Sequence, residues 1–465
     1  MFLQPNKITI SLFCCCLIGI FLTFVLSSTI SVDSMEHLRA SYLVSIGEVP
    51  YRDFFEHHHP LLWYLWAPFM KILPHHAILV YYSAKAVALS CFGLILWIIY
   101  QILKKFLDGA VLFFPFLLVL FSFFPIWYGS SMFKPDVFAQ LCYFLGLYLF
   151  FAYITHRKAY LLIWSCIAFC FSFMFLQTFI FNIVPISLVA LVFFYKDKAF
   201  WWHIGLALMI CGVILAICCY ILYHSGALLP YMQQNWLLNS HLSLLLCERH
   251  SVLWYWILPF LAAGSVFFWL YKQENIYWKI IGFLFICELL RQCCFLAAFP
   301  HYLIVLFIYT SLLIAYLLVR LKDRLWQIYA YIFLFGSLCF NYFVLYATYN
   351  PSFLTIYAKI NQSSGNLVTG APYNIYAPRG DFYTCCALDM AMLDNYLFNR
   401  YPDVDFREII VKEKVKYLHF VPIRKCALVG KEPERFIFSK SFLHGLSKDF
   451  HLFFKEKDFL LWERR

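Results

Sequence analysis

Charged residues are scarce in this sequence. Of its 465 residues, 13% are charged and 63% are hydrophobic, whereas a soluble domain usually carries about 25% charged residues. The mean hydropathy is +0.74. One soluble core cannot cover this much apolar surface, so an ordinary cytosolic enzyme and a disordered chain are both excluded. The composition indicates a polytopic membrane protein.

The few charges are distributed unevenly along the chain. Residues 1–349 carry 31 charged side chains, about 9% of that part, and residues 350–465 carry 30, about 26%. We therefore predict a membrane-spanning domain at 1–349 and a C-terminal domain of soluble composition at 350–465. The net charge of +11 does not imply nucleic-acid binding, because in a membrane protein basic loops set the orientation.

Eleven apolar stretches approach the roughly 20 residues that a membrane helix needs. The first is too long for the apolar region of a signal peptide and has no clear small-x-small cleavage site near its end, which disfavours the alternative of a cleaved signal peptide. The predicted spans are 8–30, 77–103, 109–128, 136–155, 160–177, 179–195, 200–223, 252–271, 277–298, 301–320 and 325–348.

Basic residues predict the orientation of these spans. One set of short connections holds 12 Lys and Arg residues, and the opposite set holds five in longer loops. Because basic loops stay in the cytoplasm, we expect a cytoplasmic N-terminus. With 11 spans, the C-terminal domain and the long loop at 31–76 would lie outside, in the periplasm of a Gram-negative cell.

The loop at 31–76 is the most polar stretch of the membrane part. Asp33 follows the first span directly, and a helix would place Glu36 and His37 on the same face. Gly47 is suited to end that helix. Asp33 is therefore a candidate catalytic base held at the membrane surface. The alternative is an N-cap role, with Glu36 completing a capping box.

A second polar cluster, Tyr51–Pro60, follows in the same loop. It contains two carboxylates, an Arg and three consecutive His residues. A solvated loop is one interpretation, although Phe54 and Phe55 favour a packed one. A metal site is another, but consecutive His residues do not match a defined zinc motif. The 13 residues after Pro60 are too short to span a membrane and predict an interfacial helix.

These motifs resemble those of a known family. The start of the chain resembles that of the GT-C glycosyltransferases. The shared features are a short N-terminus, one span, an acidic residue at the outer end of that span, the pattern G-x-x-P-Y-R-D-F-F-E-H-H-x-P-L and an interfacial helix. The closest branch contains the protein O-mannosyltransferases, the aminoarabinose transferase of lipid A and the galacturonosyl transferases of lipopolysaccharide core. Phe133-Lys134-Pro135-Asp136 and Pro300-His301-Tyr302-Leu303 also resemble family elements, although the second Pro of the latter is absent here.

The resemblance implies an all-α membrane fold and an inverting transfer of a sugar from a polyprenyl-phosphate carrier. Asp33 matches the family's general base, and Asp53 is the second candidate, as a base or as a group that orients the acceptor. No metal ligand is assigned, and a divalent metal ion remains an open alternative. The candidate substrate-binding residues are Glu36, His37, Arg52, Glu56, His57 and His59.

A polyprenyl-phosphate leaving group needs cations near the outer membrane surface. The candidates are Lys85, Arg249, Arg291 and His301. Lys85 lies about two turns inside the second span. A lysine there is energetically costly, which indicates that it has a function. The alternative is that its side chain snorkels to the interface.

Two other basic residues have competing explanations. Arg291 is one helical turn from Glu288, so an ion pair is the alternative to phosphate binding. Lys134 is two residues from Asp136 and is expected to pair with it.

The C-terminal residues 350–465 predict a small α/β domain. Strands are expected at 367–369 and 416–421, helices at 387–398 and 403–414, and a hairpin at 450–462 with a four-residue turn at 455–458. The domain lacks a Gly-rich phosphate loop, a C-x-x-C pair and a nucleophile elbow. A disulfide from Cys426 to Cys385 or Cys386 is compatible with the sequence, which cannot fix the connectivity.

Other functions remain open at this stage. A transporter or flippase of lipid-linked precursors would need polar residues at mid-membrane and often repeated halves, and neither is evident. A non-catalytic assembly protein would not need Asp33, Asp53 and Lys85. A glycan ligase or polymerase would be expected to have its dominant polar loop late in the chain. The amide-rich stretch 233–241 suits sugar binding and a surface loop equally.

Overall fold

The computed structural model describes most of the membrane part and four strands of the C-terminal part. The described ranges are 32–73, 77–107, 109–240, 275–294, 303–320, 367–369, 417–420, 450–456 and 459–464, with single positions between 264 and 339. The predicted spans at 8–30, 252–271 and 325–348, and the predicted helices at 387–398 and 403–414, lie outside the described residues or almost entirely so.

Two helices frame the polar loop at 31–76. Helix α1 is Val32–Ser45 and helix α2 is Leu61–Ile72. Gly47 has a φ of +100°, a conformation that favours glycine, and it ends the first helix as predicted. Helix α2 is about 18 Å long at 1.5 Å per residue, too short for a span. It buries Trp63 and Trp66 and exposes Leu65 and Phe69, as an apolar helix at a membrane surface would.

Among the described residues, four helices are long and apolar enough to cross a membrane: α3 (Ala77–Phe106), α6 (Pro135–His156), α8 (Ile180–Phe194, counted together with the preceding 3-10 turn Gln177–Phe179) and α9 (Lys198–His224). They match the predicted spans 77–103, 136–155, 179–195 and 200–223. Helix α9 buries only 6% of its most apolar window within the protein. Its apolar side chains therefore face outward, as expected for contact with lipid.

Shorter helices complete the described membrane part. Helices α7 (Ala159–Phe175), α10 (Ile276–Cys294) and α11 (Ile304–Arg320) correspond to the predicted spans 160–177, 277–298 and 301–320. The very short turn predicted after α7 is present, because Leu176 is extended and the 3-10 turn follows at once. These apolar helices place the chain in a membrane.

The stretch predicted as a span at 109–128 is not one continuous helix. A 3-10 turn, Ala110–Leu112, leads into α4 (Phe113–Ser122), and a separate short helix, α5 (Phe124–Gly129), follows. Phe123 between them is extended, with φ −87° and ψ 117°. Pro125 explains the break, since proline lacks the N–H that a continuing helix would use but is favoured in the first turn of a new one.

Helices α6 and α7 pack very closely. A Cβ built on Gly146 would lie 2.6 Å from a ring carbon of Phe169, so only glycine fits at this crossing. Ser165 and Ser172 of α7 donate hydrogen bonds to the carbonyl oxygens of Gly146 and Ala139, at 2.7 and 2.8 Å. Small residues and serine hydroxyls are typical of helix contacts within membranes.

The C-terminal part contains one four-stranded sheet. Its strands are β1 (Leu367–Thr369), β2 (Tyr417–Phe420), β3 (Phe450–Glu456) and β4 (Phe459–Arg464), in the spatial order β1-β2-β4-β3. Strands β1 and β2 are parallel and the other pairs are antiparallel. The predicted strands and hairpin are confirmed. The predicted four-residue turn is wrong, because Glu456 already pairs with Phe459.

Candidate functional site

Asp33 is held by a lysine that is distant in sequence. It lies in the first turn of α1, and its Oδ2 accepts a hydrogen bond from Lys134 Nζ at 2.7 Å. The expected pairing of Lys134 with Asp136 is wrong; Asp136 is instead buried in the first turn of α6, where a helix N-terminus favours a carboxylate. Phe133 N also donates to Ser34 Oγ at 3.1 Å. The starts of α1 and α6 are therefore joined beside Asp33.

The position of Asp33 bears on its predicted N-cap role. An N-cap residue lies outside the helix, whereas Val32 and Asp33 are both helical, so the capping-box prediction is wrong. The Asp33 side chain is 41% exposed and that of Lys134 is 8% exposed. A buried ammonium group thus supports a carboxylate that a ligand can still reach.

Asp53 maintains the turn that carries the second cluster. Its Oδ2 accepts from Val49 N at 2.8 Å, and both of its oxygens pair with the Arg52 guanidinium at 2.7 and 2.9 Å. Arg52 Nη1 donates to the carbonyl oxygen of Ser225 at 2.9 Å. The contacts of both residues therefore fold the loop and attach it to the end of α9, which favours a positioning role for Asp53 over that of the base.

The second cluster brings two carboxylates and two imidazoles together. Donor atoms of Glu36, Glu56, His57 and His58 all lie within 4.8 Å of one another. Glu56 is fully buried and Glu36 is 8% exposed. Glu56 Oε1 accepts from the backbone N–H of His57 and lies 2.9 Å from His58 Nδ1. We call these four residues the Glu/His cluster.

Two further histidines of the loop, His37 and His59, have protein partners. Trp63 Nε1 donates to His37 Nδ1 at 3.0 Å, and complete burial, followed by the nearby His58 and Lys134, lowers the pKa of His37 well below its usual value. His59 lies 3.1 Å from the Met174 carbonyl oxygen and 3.2 Å from the Tyr231 hydroxyl. Burial lowers the pKa of His59 to about 4. Both imidazoles are therefore neutral at pH 7.

An amide-rich segment holds the backbone of this loop. The π-helix Met232–Leu237 presents Gln234, which accepts from Glu56 N at 3.2 Å and donates to the Tyr51 carbonyl oxygen at 3.1 Å. Asn235 and Asn239 both donate to the His57 carbonyl oxygen, at 3.1 and 2.7 Å. The stretch 233–241 thus contacts the protein itself, an outcome that neither sequence interpretation included.

The cations predicted to bind phosphate have different surroundings. The Lys85 side chain is buried within the protein, with Nζ 5.4 Å from the Tyr81 ring centroid. Arg291 makes two hydrogen bonds to Glu288, at 2.5 and 2.8 Å, and Asn182 and Gln292 also donate to that carboxylate. The ion-pair alternative for Arg291 is therefore observed.

Several predicted residues lie outside the described part of the chain. They are Arg249, His301 and the cysteines Cys385, Cys386 and Cys426.

Sequence reasoning missed the partners that hold the site residues in place. Lys134 belongs to the Lys-Pro-Asp element, and that motif was a usable signal for a site residue, but nothing in the sequence indicated that Asp33 was its partner. The contacts of Gln234 and Asn235 join residues about 180 positions apart. Such pairs follow from the fold alone.

Comparisons with known proteins identify the fold. No family model and no curated protein sequence matches the chain. The crystal structure of ArnT from Cupriavidus metallidurans bound to undecaprenyl phosphate is similar, with a TM-score of 0.61, 10% identity and 98% of each chain covered. The apo structure of the same protein gives a TM-score of 0.62, 10% identity and 97% coverage of each chain. The chain therefore shares the mostly helical fold of these ArnT structures.

Proposed function

We propose that this protein is a membrane glycosyltransferase that transfers a sugar from a polyprenyl-phosphate carrier to a lipid, glycan or protein acceptor. The observation that carries the proposal is the half-exposed Asp33 beside the buried Lys134, at the outer end of the first predicted span. The fold supports it, since a protein of this fold has been crystallised with undecaprenyl phosphate bound.

Asp33 acts as the general base in this proposal. Its carboxylate takes a proton from an acceptor hydroxyl or amine as the acceptor atom attacks the anomeric carbon of the sugar. The bond from that carbon to the phosphate oxygen breaks on the opposite face, and the electron pair leaves with the polyprenyl phosphate. One displacement of this kind inverts the anomeric centre and needs no protein nucleophile. Lys134 fixes Oδ2 of Asp33, so the base is oriented before the acceptor arrives.

The leaving phosphate requires positive charge. Lys85 is our first candidate among the described residues, because a lysine buried in a membrane helix is retained at a cost. Arg249 and His301 remain candidates from sequence. Arg291 is the weakest of the four, since its guanidinium already contacts Glu288.

Six residues of the first outer loop are proposed to line the substrate side. Among them, Glu56 Oε2 and His57 Nδ1 have no hydrogen-bond partner in the described structure, so they can accept a ligand. Glu36 lies beside them. His37, Arg52 and His59 hydrogen-bond to protein groups, which suits residues that shape the site indirectly.

The proposed location follows from the basic loops. The chain would lie in the inner membrane with a cytoplasmic N-terminus, and the polar loop 31–76 would face the periplasm. The sheet at 367–464 would belong to a periplasmic α/β domain at 350–465. Such a domain would cap the outer face or help to receive the acceptor.

Mass spectrometry of cells with and without the gene tests this function. Lipopolysaccharide, membrane lipids and glycoproteins would be compared between the two strains. We expect one class of glycan to lose one sugar, which identifies the sugar and the acceptor together. Accumulation of a polyprenyl-phosphate sugar in the deletion strain would support the donor assignment. An unchanged glycan profile together with altered export of a lipid-linked precursor would instead favour a flippase.

A further inference from the structure

We propose that Glu36, Glu56, His57 and His58 form a binding site for one divalent transition-metal ion of the Zn²⁺ class. The four donors come from α1 and from the loop before α2. The inference concerns the ligand of this cluster and does not depend on which sugar is transferred.

The spacing of the donor atoms fits a tetrahedral ion. His57 Nδ1 lies 3.8 Å from Glu36 Oε1 and 3.5 Å from Glu56 Oε1. His58 Nδ1 lies 3.7 Å from Glu36 Oε1 and 2.9 Å from Glu56 Oε1. Ligands about 2.0–2.1 Å from a tetrahedral Zn²⁺ ion are about 3.3–3.5 Å from one another. The observed distances bracket that value, so small side-chain shifts suffice to admit an ion.

Two buried polar atoms of the cluster lack partners. Glu56 is fully buried, and its Oε2 has no hydrogen bond in the described structure; the same is true of His57 Nδ1. A buried carboxylate oxygen without a partner is costly. Because the buried Glu36 stands beside Glu56, the cluster also concentrates negative charge. A divalent cation satisfies both carboxylates and both imidazoles at once.

The backbone under the cluster is fixed before any ion binds. Gln234 holds the N–H of Glu56, and Asn235 and Asn239 hold the carbonyl oxygen of His57. Supporting contacts of this kind orient metal ligands and raise affinity. They fix the backbone from which the two consecutive histidines extend, and the donor atoms of the cluster lie within 4.8 Å of one another.

The donor set specifies the class of ion. Two imidazole nitrogens and two carboxylates favour Zn²⁺, Co²⁺ or Mn²⁺ over Mg²⁺ and Ca²⁺, which prefer all-oxygen ligands. Four protein ligands complete a tetrahedron and leave no position for water, as in structural zinc sites. With the ion bound, Glu36, Glu56 and His57 would shape the substrate side through the ion and would not contact the sugar. The ion would therefore join α1 to the loop, three residues beyond Asp33, and help to position that carboxylate.

Metal binding to the purified full-length protein tests the site. The protein would carry an affinity tag without histidine, and metal content would be measured by inductively coupled plasma mass spectrometry. After chelator treatment, Zn²⁺ and Co²⁺ would be titrated back. We expect about one tightly bound ion per chain and a higher thermal unfolding temperature with the ion than without it. With Co²⁺, we expect the strong visible absorption of a tetrahedral complex.

Matched variants locate the ion. Glu56→Gln and His57→Gln should each weaken Zn²⁺ binding at least about tenfold, whereas His224→Gln, at the exposed end of α9, should bind like the wild type. A wild-type protein that binds no Zn²⁺, Co²⁺ or Mn²⁺ would overturn the proposal, and so would unchanged affinity in both cluster variants.

The metal assay is independent of glycosyl transfer. Metal bound at this cluster in a protein that transfers no sugar would leave the site intact and refute the enzyme. Sugar transfer by a wild-type protein that binds no metal would support the enzyme and refute the metal site. The 2.9 Å contact between His58 and Glu56 would then be a simple hydrogen bond.

Discussion

Lys134 Nζ lies 2.7 Å from Asp33 Oδ2, which joins two residues that are 101 positions apart. The lysine is 8% exposed and the aspartate 41%. The contact therefore has a protected cationic side and an accessible acidic side. In the proposed reaction, this arrangement fixes the base while leaving it open to an acceptor.

Replacement of Lys134 should impair turnover more than binding. Lys134→Met removes the group that fixes Asp33, and we expect kcat to fall roughly 10- to 100-fold with a smaller change in KM. Lys134→Arg keeps the charge and should restore part of the rate. The exposed Lys71 on the outer loop provides a control, because Lys71→Met should retain activity. Equal losses in kcat for the Met and Arg variants would show that packing, not charge, matters at position 134.

Trp63 and Trp66 form a matched pair for testing the His37 contact. Trp63→Phe removes the donor to the buried His37 Nδ1, and an unsatisfied buried acceptor costs about 1–3 kcal/mol. Trp66 Nε1 is buried without a hydrogen-bond partner in the described structure, so Trp66→Phe loses no such bond. Thermal unfolding in detergent should therefore show a clearly larger decrease in Tm for Trp63→Phe. A reversed order would contradict the assigned contact.

Gly146 tests the close packing of α6 and α7. A methyl group there would lie 2.6 Å from the Phe169 ring, and overpacking of this kind costs about 1–3 kcal/mol. Gly205→Ala in α9 is the control, because a Cβ at that position meets no atom within 4 Å. We expect Gly146→Ala to unfold at a lower temperature than the wild type, and Gly205→Ala to unfold at the same or a higher one. Equal stability of both variants would show that the helices separate easily.

His59 predicts a loss of stability in acid. Its pKa is about 4 in the folded protein and about 6.5 when unfolded, so the unfolded chain binds the extra proton between these values. The contribution of His59 to the free energy of unfolding is fully present above pH 6.5. It falls by about 3 kcal/mol as the pH decreases towards 4. The variant His59→Gln should flatten this part of a Tm-against-pH curve. An equally steep curve in the variant would assign the acid sensitivity to other groups, such as His37.

Local patterns predicted the elements well but not their interruptions. Apolar runs of sufficient length gave the helices around 77–103 and 200–223 because burial in lipid imposes one length on every span. The run at 109–128 has the same composition, yet it breaks at Phe123 because Pro125 starts a new helix. A hydropathy average does not register that single residue.

The site was predicted in its residues but not in its pairings. The acidic and histidine residues of loop 31–76 stood out because charge is scarce elsewhere, and the structure brings Glu36, Glu56 and His57 together. The assignment of Lys134 to Asp136 failed because sequence proximity was used in place of spatial proximity. Contacts between α1 and α6 depend on how the helices pack, which no local pattern records.

The most direct test of the proposed function is glycan transfer by an Asp33→Asn variant. The gene-deletion strain would be complemented with the wild type, with Asp33→Asn or with Asp197→Asn, an equivalent change at the start of α9. Mass spectrometry would quantify the sugar that the deletion removes, at equal levels of membrane-inserted protein. We expect the wild type and Asp197→Asn to restore the sugar and Asp33→Asn to lower the transfer rate by about 10²–10⁴-fold. Full restoration of the sugar by Asp33→Asn would contradict the assignment of Asp33 as the general base.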